Sequence, residues 1–358
     1  MKQWIERSKH IQPIDAVWRE IAQKRLDEQT RPRRSLGQLE IALQQLVAIQ
    51  KTRTPELHQK QILIFACDHG VEAEGVSAYP KSVTEAMVLN FLNGGATINV
   101  LARHIGAEVR VVDVGVDADL KPHPLLVSRK VRRGTRNMTQ EPAMTFEELD
   151  QALTVGWDMA EEAKKEGVSI LVLGEMGIGN TTAASAVVSA LLKVKPETVT
   201  GRGTGIDDDT WNAKVRAIEK ALNLHQTVLN DPLQILEHVG GYEIAAMTGA
   251  LLGCAHHHLP VIVDGWVVSA STLAAAQLNP SILDYVFFGH ESEEKGHRIV
   301  LEALRARPII HLGMRLGEGS GAALALGILE AAVRIYNEVA TFDEAQVAKK
   351  KERSEAAH

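Results

Sequence analysis

The 358-residue chain has only two cysteines, Cys67 and Cys254, each in an apolar setting. Two such thiols cannot build a disulfide framework, and they read as buried and reduced. Aromatic residues make up 4% of the chain, and 39 Lys and Arg face 45 Asp and Glu with no basic half. The sequence therefore lacks both the stacking platforms and the basic face of a nucleic-acid binder. Every long apolar stretch is broken by Gly, His, Asp or Glu before it reaches membrane-spanning length, which argues against a membrane protein. The opening MKQWIERSKHIQPID has no apolar core of a secretory signal, so the expected location is the cytoplasm. Internal repeats and low-complexity linkers are also missing.

What the chain does have is apolar sequence and glycine: 45% hydrophobic residues and 28 glycines. That is enough to bury a large core, and the length predicts two domains or one enlarged α/β domain. Residues 14–50 read as amphipathic helix interrupted by the basic turn RPRRSLG (31–37), with Ser35 a candidate cap for the second part. From residue 61 short apolar runs alternate with helical patterns. The runs are QILIFAC (61–67), EVRVVDV (108–114), VSILVLG (168–174), PVIVDG (260–265), DYVFF (284–288) and PIIHL (308–312). Helical patterns lie near 84–104, 145–166, 181–193, 210–226, 241–257, 267–277, 292–306 and 319–338. Continuous apolar runs suit strands buried on both faces, so the pattern predicts an α/β fold: a parallel six-stranded sheet with helices on both faces. The first 55 residues carry no strand signal and predict a separate helical unit. The expected divisions are a helical subdomain over 1–58, an α/β domain over 59–318, a C-terminal helix over 319–340 joining the helical subdomain, and a frayed or disordered tail over 341–358.

In wound parallel sheets ligands bind beyond the carboxyl ends of the strands. Polar and glycine residues do collect there: Asp68, His69 and Gly70 after the first run, GEMGIGNTT (174–182) after the third, Asp264 and Gly265 after the fourth, and GMRLGEGSG (313–321) after the sixth. GEMGIGNTT is neither a Walker A loop nor GxGxxG; it fits a cradle for phosphate or carboxylate, or a tight strand-to-helix turn. In GRGTGIDDDT (201–210), Asp207, Asp208 and Asp209 suit the start of a helix better than a metal cluster, and Lys214 either reaches back to a phosphate or lies exposed. Glu318 sits between two glycines at the head of an apolar helix, which leaves its carboxylate open to a ligand or makes it a helix-start carboxylate. Consecutive His256, His257 and His258 point about 100° apart on a helix and cannot readily share a metal. His69, His290 and His311 are better placed, without a recognisable ligand spacing.

Taken together, these segments resemble the nicotinate-nucleotide–dimethylbenzimidazole phosphoribosyltransferase (CobT) family. The resemblance spans nearly the whole chain: SLGQLE (35–40), ACDHGVEAEGVSAYPKSVTEAMV (66–88), GGATINVLAR (94–103), VVDVGVDAD (111–119), RGTRNM (133–138), LGEMGIGNTTAASA (173–186), GRGTGIDDD (201–209), VGGYEIAAMTGA (239–250), VIVDG (261–265) and MRLGEGSGAALAL (314–326). It implies a Rossmann-like six-stranded sheet, a small helical domain from both termini and a homodimer, without metal or cofactor. The implied reaction moves 5-phosphoribosyl from nicotinate mononucleotide to 5,6-dimethylbenzimidazole with inversion at C1′, in cobalamin lower-ligand synthesis. Carried over, Glu318 is the general base. Glu175, Gly177, Ile178 and Asn180 lie on the nucleotide side; Gly203, Lys214 and Ser292 contact phosphate or ribose; Asp264 and Gly265 form the strand-end element. The acceptor pocket includes Tyr79, Met87 and Leu316. Tyr79 and Met87 depart from a branch of the family with Ser and Gln there, which leaves another benzimidazole, a purine or a phenol open as acceptor. RPRRSLG and EPAMT (141–145) depart from PPGSLG-like and GPAMT segments. A non-catalytic nucleotide-binding protein and a nucleotide hydrolase are the alternatives in other classes.

Overall fold

In the computed structural model, which describes residues 3–203 and 205–348, six parallel strands form one sheet. They are β1 (Lys60–Cys67), β2 (Ala107–Gly115), β3 (Leu126–Ser128), β4 (Ile170–Met176), β5 (Val261–Val263) and β6 (Val286–Phe288). The α-helices are α1 (Gln3–Lys9), α2 (Ala16–Glu28), α3 (Gln38–Gln50), α4 (Ser82–Leu92), α5 (Thr97–Ile105), α6 (Phe146–Lys165), α7 (Asn180–Leu192), α8 (Pro196–Val199), α9 (Asp208–His225), α10 (Pro232–Val239), α11 (Tyr242–His256), α12 (Trp266–Leu278), α13 (His297–Ala303) and α14 (Ser320–Glu338).

The strand order is β3-β2-β1-β4-β5-β6. The chain winds outward from β1 to β3, then returns to the other side of β1 with β4. β1 and β4 therefore flank the topological switch point, where a wound sheet opens a crevice beyond its carboxyl ends. Seven of the eight β1 residues are buried, as a strand covered on both faces requires.

Five of the six expected strands form. The sixth, PIIHL, does not: it runs beside the end of β6 and makes a single parallel bridge, His290 to Ile310. Its place in the count is taken by β3, three residues at the opposite edge and too short to stand out in sequence. The helical pattern over 84–104 divides into α4 and α5 at Asn93–Ala96, where two glycines interrupt the periodicity. Of the 292–306 pattern only α13 is α-helical, and the short α10 has no counterpart among the expected helices.

In the helical unit, α2 and α3 pack through Ala22, Leu26, Leu43, Leu46 and Val47, and Asp15 caps α2 by accepting from the Val17 amide at 2.9 Å. Ser35 does not cap α3; the N-cap is Gly37. The basic turn instead supplies Arg31, whose Nη1 lies 2.6 Å from Oε1 of buried Glu40 and which also reaches the Leu26 carbonyl, giving RPRRSLG a structural account. Gln29 Nε2 donates to the carbonyls of Ile335 and Tyr336, tying α2 to the far end of α14. Helix α1 packs elsewhere: the Trp4 indole donates to Asp150 of α6 at 3.0 Å. The tail is not frayed over 341–348. Thr341 pairs antiparallel with Gln29, and the Phe342 amide donates to the Glu28 carbonyl, satisfying backbone groups at the end of α2. The remainder of the tail, 349–358, lies outside the described residues. Among the described residues no helix is long and apolar enough to cross a membrane.

Candidate active site

The carboxyl ends of β1, β4 and β5 bring polar side chains together around the segment that leads into α14. Glu318 lies in that segment with φ +64°, between Gly317 at +86° and Gly319 at +84°. Three consecutive left-handed residues demand glycine where no side-chain function is needed, and a non-glycine held there marks stored strain. The sequence reading gives the flanking glycines the task of opening the carboxylate to a ligand. The structure differs: Glu318 is buried, 7% exposed, and the glycines supply the backbone path that delivers it. Gly174 at the end of β4 makes room for that path, since a Cβ there would lie 2.5 Å from the Glu318 carbonyl carbon and the Gly319 nitrogen.

Glu318 is not the cap of the helix that follows. Asp264, after β5, takes that role, its Oδ2 accepting from the Gly319 amide at 3.1 Å and its Oδ1 from the Ala322 amide at 2.9 Å. Glu318 is thereby released from capping, and its Oε2 meets no hydrogen-bond donor among the described residues. Burial pushes the Glu318 carboxyl above its usual range, the Ile98 backbone amide draws it part of the way back, and the negative charge of Asp264 raises it again.

Glu175, on β4, accepts at Oε2 from the Asn180 side-chain Nδ2 and lies against the next segment, where a Cβ on Gly317 would come 2.5 Å from its Oε1. Burial, followed by the charges of Asp264, Glu243 and Glu318, pushes its carboxyl up to about 8, with Asn180 opposing. Two carboxyl groups with raised pKa, meeting at the switch-point crevice, make this the candidate site.

Lys214 is neither exposed nor a surface partner of the acids before it. It is 1% exposed, its Nζ donates to Thr181 Oγ1 at 2.8 Å, and a Cβ on Gly203 would lie 3.5 Å from that nitrogen. Burial lowers Lys214 to about 8 while Glu294 opposes the shift. Arg315 donates to the Gly203 carbonyl at 2.9 Å, joining Gly203 to the Glu318 segment. A buried ammonium beside a threonine hydroxyl at the start of α7 is a natural seat for a phosphate. Asp207 caps α9 through the Thr210 amide at 2.9 Å, and Asp208 pairs with Arg202, so the acidic run serves the helix start.

Ser292 sits beside Gly265, where a Cβ would lie 3.4 Å from that of Ser292. The Ser292 amide donates to His297 Nδ1 at 2.8 Å, and His297 Nε2 pairs with Ser269 Oγ at 2.9 Å. Burial lowers His297 to about 3, so it acts as a neutral strut. His290 Nε2 lies 3.4 Å from Asp264 Oδ1. His311 stays exposed between Glu291 and Glu293. Cys67 and Cys254 are both free and buried.

Cys67, His69 and Glu243 hold ligand-type atoms within 4.8 Å of one another. His69 Nε2 is already bonded to Glu243 Oε1 at 2.8 Å, closer than two donors on one zinc ion would stand, and burial holds the Cys67 thiol well up, so the trio is arranged as a hydrogen-bonded pair beside a neutral thiol.

The structure thus draws Glu318, Glu175, Asn180, Asp264, Gly265 and Ser292 into one neighbourhood, with Gly203 and Lys214 linked to it through Arg315. Gly177 and Ile178 lie in the turn after β4, the Ile178 amide donating to Thr84 Oγ1 at 3.1 Å. Met87 shares α4 with Thr84 and packs against the core. Tyr79 and Leu316 are each 50% exposed and bond no other named site residue through their side chains among the described residues. Sequence reading missed Glu243, Glu294 and His297. Glu243 carried one signal, an acid in the first turn of an otherwise apolar helix.

A family model described as phosphoribosyltransferase matches residues 11–347. The nicotinate-nucleotide–dimethylbenzimidazole phosphoribosyltransferase of Geobacter sulfurreducens is 53% identical over 338 residues, covering 94% of this chain and 96% of its own. The protein of that name from Chlorobaculum tepidum is 47% identical over 340 residues, covering 95% and 96%. A crystal structure of the Thermus thermophilus enzyme of the same name superposes with a TM-score of 0.88 at 45% identity, over 94% of this chain and 100% of that one. The chain belongs to the nicotinate-nucleotide–dimethylbenzimidazole phosphoribosyltransferase family.

Proposed function

We propose that this chain transfers the 5-phosphoribosyl group of nicotinate mononucleotide to 5,6-dimethylbenzimidazole, yielding α-ribazole 5′-phosphate and nicotinate for the lower ligand of cobalamin. The observation that carries the reading is Glu318: a buried carboxyl, raised in pKa, with one oxygen unpartnered and its backbone locked beside the switch point. Displacement at C1′ builds oxocarbenium-like charge on the ribose. As one benzimidazole nitrogen bonds to C1′, the bond to the nicotinate ring nitrogen breaks and its electron pair leaves with that ring. The acceptor's other N–H becomes acidic only as the new bond forms, and Glu318 takes that proton. Backside attack inverts the anomeric centre and needs no covalent intermediate. Lys214, Thr181 and Gly203 suit the 5-phosphate, and the turn after β4 suits the nicotinate nucleotide. Holding two rings on opposite faces of the ribose supplies much of the acceleration. We further read the working form as a cytoplasmic homodimer, to be checked by light scattering of the purified protein.

A second reading keeps the chemistry and changes the acceptor. Met87 offers less side-chain hydrogen bonding than Gln would, and Tyr79 sets a larger aromatic hydroxyl where Ser would place a small one, which favours tolerance of other aromatic bases. The deciding experiment incubates pure protein with nicotinate mononucleotide and a panel of benzimidazoles, purines and phenols, with product identification. Preferred turnover of 5,6-dimethylbenzimidazole supports the first reading. Nicotinate release without acceptor identifies a hydrolase, and binding without turnover a non-catalytic protein.

A further inference from the structure

His69 stands just past β1, and its partner Glu243 lies in the first turn of α11, 174 residues later. Both side chains are almost completely buried, and each is the other's partner, His69 Nε2 lying 2.8 Å from Glu243 Oε1. Burying such a pair costs desolvation and is a weak way to gain stability; its better-attested return is a fixed geometry. That geometry centres on the turn after β4. A Cβ on Gly179 would lie 2.9 Å from His69 Cβ, and one on Gly177 would strike the Cys67 carbonyl and stand 3.6 Å from His69 Nε2. At the start of α11, Gly241 approaches so closely that a Cβ would strike His69 Cε1 and lie 2.6 Å from Glu243 Oε2. The imidazole is thus enclosed by the β4 turn and the α11 start, with Glu243 fixing its orientation.

Building on the function proposed above, we infer that His69 and Glu243 are positioning residues for the nucleotide-side turn 175–180, setting Glu175 and Asn180 for the nicotinate nucleotide and leaving the acceptor side to other elements. His69→Leu deletes the nitrogen at similar volume, His69→Gln returns a donor for Glu243, and Glu243→Gln keeps shape while removing charge. Each variant is compared with the parent by thermal unfolding and by the separate KM of nicotinate mononucleotide and of 5,6-dimethylbenzimidazole. The expected result for His69→Leu is a nucleotide KM raised about tenfold or more, with the acceptor KM within about twofold. His69→Gln should recover most of that loss. An unchanged nucleotide KM in a folded variant overturns the inference, and so does a parallel rise of both constants or a Gln variant no better than Leu. If His69→Leu fails to fold, Glu243→Gln is judged by the same KM split. A parent protein that turns over no acceptor rejects the proposed function and this role together; an active parent with unaffected variants rejects this role alone.

Discussion

The carboxylate of Asp264 grips the amide of Gly319 and, through it, fixes the left-handed backbone of Glu318. With the second bond to Ala322, one side chain from the end of β5 caps α14 and sets where the preceding residue points. An asparagine would keep one accepting oxygen and lose both the second bond and the charge at the helix start. Asp264→Asn is expected to cost about 1–2 kcal/mol of stability. Transfer by the folded fraction should fall about tenfold or more, because a displaced base loses its geometry. Urea unfolding and steady-state rates separate the two effects; full activity per folded molecule would sink the positioning role of Asp264.

Glu318→Gln preserves volume and backbone while removing the proton acceptor. Nucleotide affinity should remain near normal while transfer drops by about 10²–10⁴-fold. The parent must have Glu318 ionised to accept a proton, so its rate should fall as pH drops through the raised carboxyl pKa. That acid limb should vanish in the variant. Equal turnover by Glu318→Gln would remove the base assignment.

Much of this arrangement is legible in the sequence alone, and the exceptions have physical causes. Strands such as QILIFAC and VSILVLG announce themselves because both faces are buried, and the glycines and acids after them mark the crevice. Leu126–Ser128 is invisible because three edge residues carry no period. PIIHL looks like a strand because it is apolar, yet the edge beside β6 offers it only one bridge. Glu318 is visible, but its burial is not, since the chain that covers it comes from elsewhere. His69 with Glu243 and Lys214 with Thr181 join positions far apart in sequence, so no local spacing could reveal them.

Glu175 makes a pH-dependent demand on the fold. Unfolded, it releases its proton near 4.5; folded, only near about 8. Across that window the folded state holds the extra proton, so stability contributed here is present at low pH and is lost as pH rises toward 8. Glu175→Gln can still accept from Asn180 and never ionises. It should match the parent near pH 4 and exceed it above pH 8 by on the order of a few kcal/mol. Urea midpoints at the two pH values test this; an equal difference at both would show that ionisation is not the cause.

Acceptor choice should move with the two residues that depart from the Ser and Gln branch. Tyr79 is half-exposed and Met87 lies on α4. Tyr79→Ser with Met87→Gln should shift the preference between benzimidazoles and phenols by about fivefold or more, since gain or loss of one hydrogen bond is worth roughly 1 kcal/mol. The KM of nicotinate mononucleotide should stay constant. Competition between paired acceptors measures the ratio directly, and an unchanged ratio would remove both residues from the acceptor pocket.

Nucleotide affinity should weaken above about pH 8 for two separable reasons. Lys214 loses its charge there, and Glu175 gains one, each change disfavouring an anionic ligand. Lys214→Met should weaken nicotinate mononucleotide binding by about 10–100-fold below pH 7, the scale of a charge-assisted phosphate contact. Its remaining pH dependence should come from Glu175 and disappear when Glu175→Gln is added. Nicotinate riboside, which lacks the phosphate, provides the internal control. Its affinity should respond to Glu175→Gln and ignore Lys214→Met. Equal sensitivity of nucleotide and nucleoside to Lys214→Met would instead mean that this lysine supports the packing around Thr181 and Gly203 rather than the phosphate.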